Sequence, residues 1–436
     1  MNSSIRRLLA GRTIAALATA LIPMTLTLAV VQATGSAADL GVVLSFELLP
    51  LLALLPVAGV IADRFPPQRV ILAADLVRGA AQLGIAAELL AGEVRIPVLA
   101  ALSAITGAGV AFGTPAVRTL VAAVVAGPDR LRINARLGVA TGLAQMVAPA
   151  LAGSLILAVG AGWSSLLTGG LFAASALTLA RLRPARTASR NRRGAFAGEL
   201  RGGWAETRRH PWFLVNVLGH GVWHLAAGFL LTLGPIIALR HLGGATSWVI
   251  IAQLGTVGMV AGIYAAPRLP IRRPLVAVAV GAAVYALPMA AFAAPMPVTV
   301  VAIAYFAAMF GLGVLSPLWE TTMQQRIPEE ALGRVGSFDT LISFAARPLG
   351  LAVAAPVAAL TGTMAPLLIG AALVAAANLA VLLLPDVWQV PAEEAVQRET
   401  PAQASSTSAG RQRIDRGGHV NGPDAWAEER RNRISR

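Results

Sequence analysis

Arginine fills every second gap between the hydrophobic stretches of this chain, and the gaps in between are almost bare of it. All 35 basic residues are arginines. Arg6, Arg7 and Arg12 precede or open the first apolar stretch, and Arg64 and Arg69 follow the second. Arg130, Arg132 and Arg136 follow the fourth, and nine arginines fill the gap from Arg181 to Arg209. Arg268, Arg272 and Arg273 follow the eighth, Arg326 and Arg334 the tenth, and eight more lie between Arg398 and Arg436. The intervening gaps hold only Arg95 and Arg240, while Arg78, Arg118 and Arg347 fall inside apolar stretches. Basic residues concentrate in the short cytoplasmic loops of membrane proteins. The alternation therefore predicts an even number of spans with both termini in the cytoplasm.

The apolar stretches are 12–34, 40–62, 70–91, 96–123, 135–159, 161–182, 211–238, 246–268, 273–293, 297–320, 336–360 and 364–385. Each is long enough to cross ~30 Å of hydrocarbon, which takes about 20 helical residues. Mean hydropathy is +0.70 and charged residues make up 13% of the chain, against about 25% in soluble domains. The expectation is an all-α, multi-pass protein of the inner (cytoplasmic) membrane, in contact with lipid and monomeric. A cleaved signal is the rival reading of the first stretch. Its apolar run exceeds the ~7–15 residues of a signal core, and its removal would break the even count.

The formal charge of +14 does not imply nucleic acid, because the arginines are spread over loops on one side of a membrane. Residues 386–436 balance eight arginines with eight acids and are rich in Ala, Ser, Gln and Gly, so a disordered cytoplasmic tail is expected. The chain has no cysteine, which excludes disulfides and thiol chemistry. Without lysine there is no Walker ATP site, and no catalytic triad or two-metal arrangement is defensible. No enzyme activity, cofactor or metal is expected.

Landmarks recur at a nearly fixed offset. Gly59 pairs with Gly262, Pro115 with Pro317, Pro128 with Pro328 and Pro149 with Pro348, at separations of 203, 202, 200 and 199. The chain reads as two six-span halves, 1–182 and 211–385, in the same orientation and joined by a cytoplasmic central loop, 183–210. Parallel repeats of this kind place a substrate site between the halves near mid-membrane.

The loop after span two, "GVIADRFPPQR", resembles the signature loop of the major facilitator superfamily, with Gly59, Asp63, Arg64 and Arg69 in matching places. Pro66 stands where the family has glycine, and Gln68 where it has a basic residue; the second-half copy carries Ala266 in place of Asp63. "ADLVRG", "TPAVRTL", "RINARLG" and "GRVGSFDTLISFAARPLG" are similar to phrases of the branch that holds macrolide-efflux and enterobactin-export proteins. "APALAG", from Ala148 to Gly153, resembles the drug/proton antiporter motif with alanines for two glycines. Helix packing through small residues is an equal reading of it. The resemblance implies a twelve-helix transporter in two pseudo-symmetric halves, with spans one, four, seven and ten around a central cavity.

Within that frame, Gly59 admits a close helix neighbour, and Asp63 faces the positive end of a helix in the other half. Asp75 and Arg78 share one helix face and are expected to neutralise each other as a structural or gating ion pair. Arg118 and Glu320, at equivalent places in the repeat, are expected to meet across the halves. Arg347 has Asp339 and Asp75 as candidate partners. Charges inside a membrane are costly and mark function, so these form the expected gate and charge network. Glu47 has no partner nearby in sequence and is a candidate proton carrier.

Asn216, His220 and His224 form one stripe along span seven, with Trp223 beside them. With Tyr305 of span ten, and Thr25, Thr27 and Gln32 of span one, they are the candidate contacts for substrate or protons. Hydrogen bonding between helices is the plainer alternative for the histidines. The chain is expected to export an amphipathic small molecule in exchange for protons. Proton-coupled uptake, and a non-transporting membrane sensor or scaffold, remain open.

Overall fold

The computed structural model describes residues 3–34, 36–92, 94–182, 196–294 and 296–388. Twelve segments among them are helical, apolar and long enough to cross a membrane. The first six are α1 (Ser3–Thr34), α2 (Ala37–Arg64), α3 (Pro67–Leu90), α4 (Ile96–Val124), α5 (Arg130–Val159) and α6 (Ala161–Ala180). A linker helix, α7 (Phe196–Arg209), precedes α8 (Pro211–His241) and α9 (Ala245–Ala265). The ninth span is broken into α10 (Pro274–Ala283) and α11 (Ala286–Ala293) by a turn at Val284 and Tyr285. The last three are α12 (Val298–Arg326), α13 (Leu332–Thr361) and α14 (Met364–Leu379). Backbone polar groups find no water in hydrocarbon, so helices that satisfy their own hydrogen bonds are the available solution. Outward side chains meet lipid rather than water, and Leu157 and Leu360 are accordingly 85% and 88% exposed.

Local chemistry sets the ends. Ser36 caps α2 by accepting from Asp39 N at 3.2 Å, and prolines open α3, α4, α8 and α10 in the first turn, where no N–H is needed. The turn between α5 and α6 rests on Gly160 at φ +99°, and that between α13 and α14 on Gly362 at φ +74°. Both values favour glycine. The two glycines lie 202 residues apart, one more repeat of the offset between the halves.

Three sequence expectations change. The central segment is not loop throughout, because its end is α7. The expected tail begins later than residue 386: Pro385–Val387 form a short 3₁₀ turn, Arg326 donates to the Asp386 carbonyl at 3.2 Å, and Arg273 lies over the Trp388 ring. Residues 389–436, like 183–195, lie outside the described residues. Several spans also run past their apolar stretches, and α1 carries Arg6, Arg7 and Arg12 inside the helix.

In the first half α1 packs on α5 and α6, α3 on α4 and α6, and α2 on α4; in the second α8 packs on α13 and α9 on α12. The seam between halves is α2 on α13, α5 on α9 and α12, and α4 on α13. Gly59 and Gly262, matched in the repeat, serve different contacts. A Cβ at Gly59 would lie 2.8 Å from Arg334 Cα across the seam, whereas one at Gly262 would meet the Phe310 carbonyl within its own half. On the α5–α9 seam the small residues are Gly138 and Gly142 of α5, against Ile263 and Val260.

Candidate functional site

The seam is locked at the end that carries the arginine-rich loops. Asp63, one residue before the end of α2, accepts from Gly333 N at 2.7 Å and from Arg334 N at 3.1 Å. These are orphan donors of the first turn of α13, where the helix dipole favours an anion. Arg334 Nε closes the contact with Asp63 at 2.9 Å. Gly59 lets the helices approach this closely, since its Cβ would lie 2.3 Å from Ser337 Oγ. Helix α7 lies under the contact. Arg64 Nε donates to Glu199 at 2.8 Å, Arg334 Nη1 to the Glu199 carbonyl at 3.3 Å, and Trp204 packs on Phe338 with ring centroids 5.5 Å apart. Arg69 is exposed in the first turn of α3.

A second layer lies roughly 9–10 Å inward along α4, α12 and α13 at 1.5 Å per residue. Arg118 Nε donates to both carboxylate oxygens of Glu320 at 3.0 and 2.9 Å, and its Nη2 to Asp339 at 2.9 Å. Its Nη1 reaches the Gly336 carbonyl and Thr340 Oγ1. One guanidinium thus ties three helices together, using the planar fork that suits carboxylates. Beside it, Asn134 Nδ2 donates to Thr321 Oγ1 at 2.9 Å and Gln324 Oε1 at 3.0 Å, and Arg130 Nη1 to the Gln324 carbonyl at 2.6 Å. Among the described residues, every hydrogen bond and ion pair between the halves lies toward this end.

Two expected ion pairs are replaced. Asp75 pairs with Arg12 of α1, and Ser175 Oγ of α6 lies 2.7 Å from the same carboxylate. Arg78 instead donates to Thr19 Oγ1 at 2.7 Å and lies 4.2 Å from the centroid of Phe172. Spacing of three along a helix permits contact without compelling it, and a cation from the neighbouring helix takes the carboxylate. Neither candidate partner of Arg347 engages it. Asp75 is held by Arg12, and Asp339 by Arg118 and by Trp319 Nε1 at 3.2 Å. Asp339 is eight residues before Arg347, ~12 Å along the helix. Arg347 makes no hydrogen bond or ion pair among the described residues; it lies within electrostatic reach of His224, Tyr285 and Tyr305.

The histidine stripe faces the interior of the second half. His220 stands edge-on to Trp319 at 5.1 Å, and His224 packs on Phe344 at 4.1 Å and on Trp223 at 4.3 Å. Trp223 meets Tyr285 of the broken ninth span at 5.4 Å. Buried atoms with no hydrogen-bond partner among the described residues include His220 Nε2, His224 Nδ1 and Trp223 Nε1. Buried polar atoms are ordinarily paired, so three on one stretch of α8, beside an unpaired Arg347, make a region equipped to hydrogen-bond a guest. Asn216 does not join it: its amide donates to the Trp212 carbonyl of its own helix at 2.7 Å. Tyr305 is buried against Gly255 of α9. Thr25 turns away from the middle, to Ser164 of α6 at 2.7 Å. Glu47 sits ten residues into α2, ~15 Å from the end opposite the lock. It makes no ion pair among the described residues, and Arg78 is within electrostatic reach.

Residues 8–351 match the family model described as Major Facilitator Superfamily. The chain belongs to the major facilitator superfamily. Among similar proteins, the transporter is 30% identical over 371 residues to "Multidrug efflux pump Tap" of Mycobacterium tuberculosis (strain ATCC 25618 / H37Rv), covering 82% of this chain and 87% of that one. The protein of the same name from Mycolicibacterium fortuitum is 26% identical over 356 residues, covering 78% and 85%. Among solved structures, FucP in the outward conformation superposes with a TM-score of 0.72 at 14% identity, covering 88% of this chain and 99% of that one. A bacterial homologue of the iron transporter ferroportin, in an outward-facing state, does so with a TM-score of 0.71 at 19% identity, covering 88% and 99%. These two likenesses establish the fold of the transporter.

Several partners in these charge networks were hidden in the sequence. Arg334 and Asn134 lie inside the phrases that carry the family resemblance, "GRVGSFDT" and "RINARLG". Arg12 opens the first apolar stretch and Trp319 lies within the tenth, and neither position names a carboxylate partner. Their pairing depends on which helices adjoin, which spacing along one helix does not encode.

Proposed function

We propose that this transporter exports an amphipathic small molecule across the inner membrane in exchange for protons, with its termini and arginine-rich loops in the cytoplasm. The observation that carries the reading is the charge lock of Asp63, Arg118, Glu320 and Asp339 across one end of the seam. Such a lock holds one alternating-access state until substrate or protons release it. The cluster of His220, Trp223 and His224 beside Arg347 supplies hydrogen-bonding groups within apolar and aromatic walls, which suits a lipophilic body carrying a polar group. The efflux pumps to which the chain is similar favour outward transport. Glu47 is the proposed proton carrier: it lies on the side away from the lock with no ion-pair partner among the described residues, and a carboxylate there exchanges its proton with the outer solution when that side is open. His220 and His224 are the competing carriers.

The test is flux in everted membrane vesicles. A pH gradient, acid inside, should drive accumulation of lipophilic dyes, and collapsing it should release them. Glu47→Gln should retain dye exchange between equal concentrations while losing gradient-driven accumulation. Uphill transport that survives in Glu47→Gln but fails in the His220→Gln/His224→Gln variant would move the carrier to the histidines. Accumulation only with the opposite gradient would make the protein an uptake system, and no flux under any gradient would make it a sensor or scaffold.

A further inference from the structure

An open groove of about 620 Å³ lies at the arginine-bearing edge of the seam between α1 and α6, away from the lock and from the histidine cluster. Among the described residues three arginines line it, Arg6 and Arg7 from α1 and Arg181 from the end of α6, and no carboxylate does. Ala10 and Leu177 form its apolar floor. Leu177 is 66% exposed, so the floor continues onto the face that hydrocarbon covers. At its inner edge the two helices close on each other: a Cβ at Gly11 would lie 2.2 Å from Thr178 Oγ1. Arg7 is braced by donating to the Arg181 carbonyl. The nearby carboxylate, Asp75, is already taken by Arg12. The volume falls in the range of ligand pockets, about 300–1,000 Å³.

We propose that this groove binds the headgroup of an anionic phospholipid, with the phosphate among Arg6, Arg7 and Arg181 and an acyl chain descending over Leu177. Clustered cations at a membrane surface attract a phosphate through their charge, and a site that is basic above and apolar below selects a lipid over a free anion. Basic pockets between membrane helices on the cytoplasmic side bind such headgroups.

The test uses the full chain, purified in detergent and titrated with phosphatidylglycerol or phosphatidylcholine, with bound lipid counted by native mass spectrometry. Wild type should bind phosphatidylglycerol in preference, and inorganic phosphate at tens of millimolar should leave it in place. Arg6→Gln/Arg181→Gln should weaken that binding roughly twenty-five-fold, at about fivefold per arginine lost near a membrane surface. Arg6→Lys/Arg181→Lys, which keeps the charge, should stay within a few-fold of wild type and unfold at the same temperature. Equal binding of the two lipids would overturn the proposal. So would retention of phosphatidylglycerol by the glutamine variant, an equal loss in the lysine variant, or displacement by inorganic phosphate, which would mark a free-anion site.

Discussion

Replacing Arg118 by methionine should open the locked end of the transporter. The arginine satisfies Glu320 and Asp339 together, and its loss leaves two carboxylates facing each other without a cation. Removing one partner of a buried ion pair costs about 3–5 kcal/mol. Glu320 is 28% exposed and is eased by water; Asp339, at 6%, is not. The lower figure, ~3 kcal/mol, is therefore the working estimate, and it shifts the equilibrium against the closed state by a factor of about 140. A resting preference of about 100:1 would fall below 1:1. The natural chain has no cysteine, so spin labels at Phe65→Cys and Arg272→Cys, both exposed and in opposite halves, report on this end alone. Pulsed electron resonance should show a longer distance population appear in Arg118→Met. It should largely vanish in Arg118→Met/Glu320→Gln/Asp339→Asn, where no uncompensated charge remains. An Arg118→Met distribution identical to its parent, with the triple variant unchanged as well, would refute the claim that this guanidinium holds the end shut.

The contact of α2 with α13 should fail through shape and through charge separately. Gly59→Ala places a methyl against Gly333 and Arg334 backbone at 2.8 Å, and overpacking of about 1–3 kcal/mol should cut transport severalfold or more. Asp63→Asn keeps the shape but loses charge-assisted bonds, and should slow transport while equilibrium substrate binding persists; binding lost in step with flux would contradict a gating role. A reporter enzyme active only outside the cytoplasm, fused after Arg436 or inserted in 183–195, should give no signal, and activity at either place would break the even-span topology.

Apolar stretches of membrane-crossing length, a solvent without hydrogen-bonding partners and an alternation of arginines are properties of the chain itself. They sufficed for twelve helices and for a repeat of about 200 residues between halves, because a helix in hydrocarbon satisfies its backbone without help from its neighbours. The Asp63 contact was also legible, since a signature loop names both its anion and the kind of helix end it meets. Partner choice was not. Asp75 lies one turn from Arg78 yet pairs with Arg12, and Arg347 shares a helix with Asp339 that Arg118 claims from another half. Ion pairs in a membrane go to whichever cation the packing delivers at hydrogen-bond distance. That delivery depends on crossing points such as Gly59 on α13 and Gly11 on α6, where two helices distant in sequence come within a side chain's reach. The sequence marks the glycines and the charges; only the packed bundle decides which of them face one another.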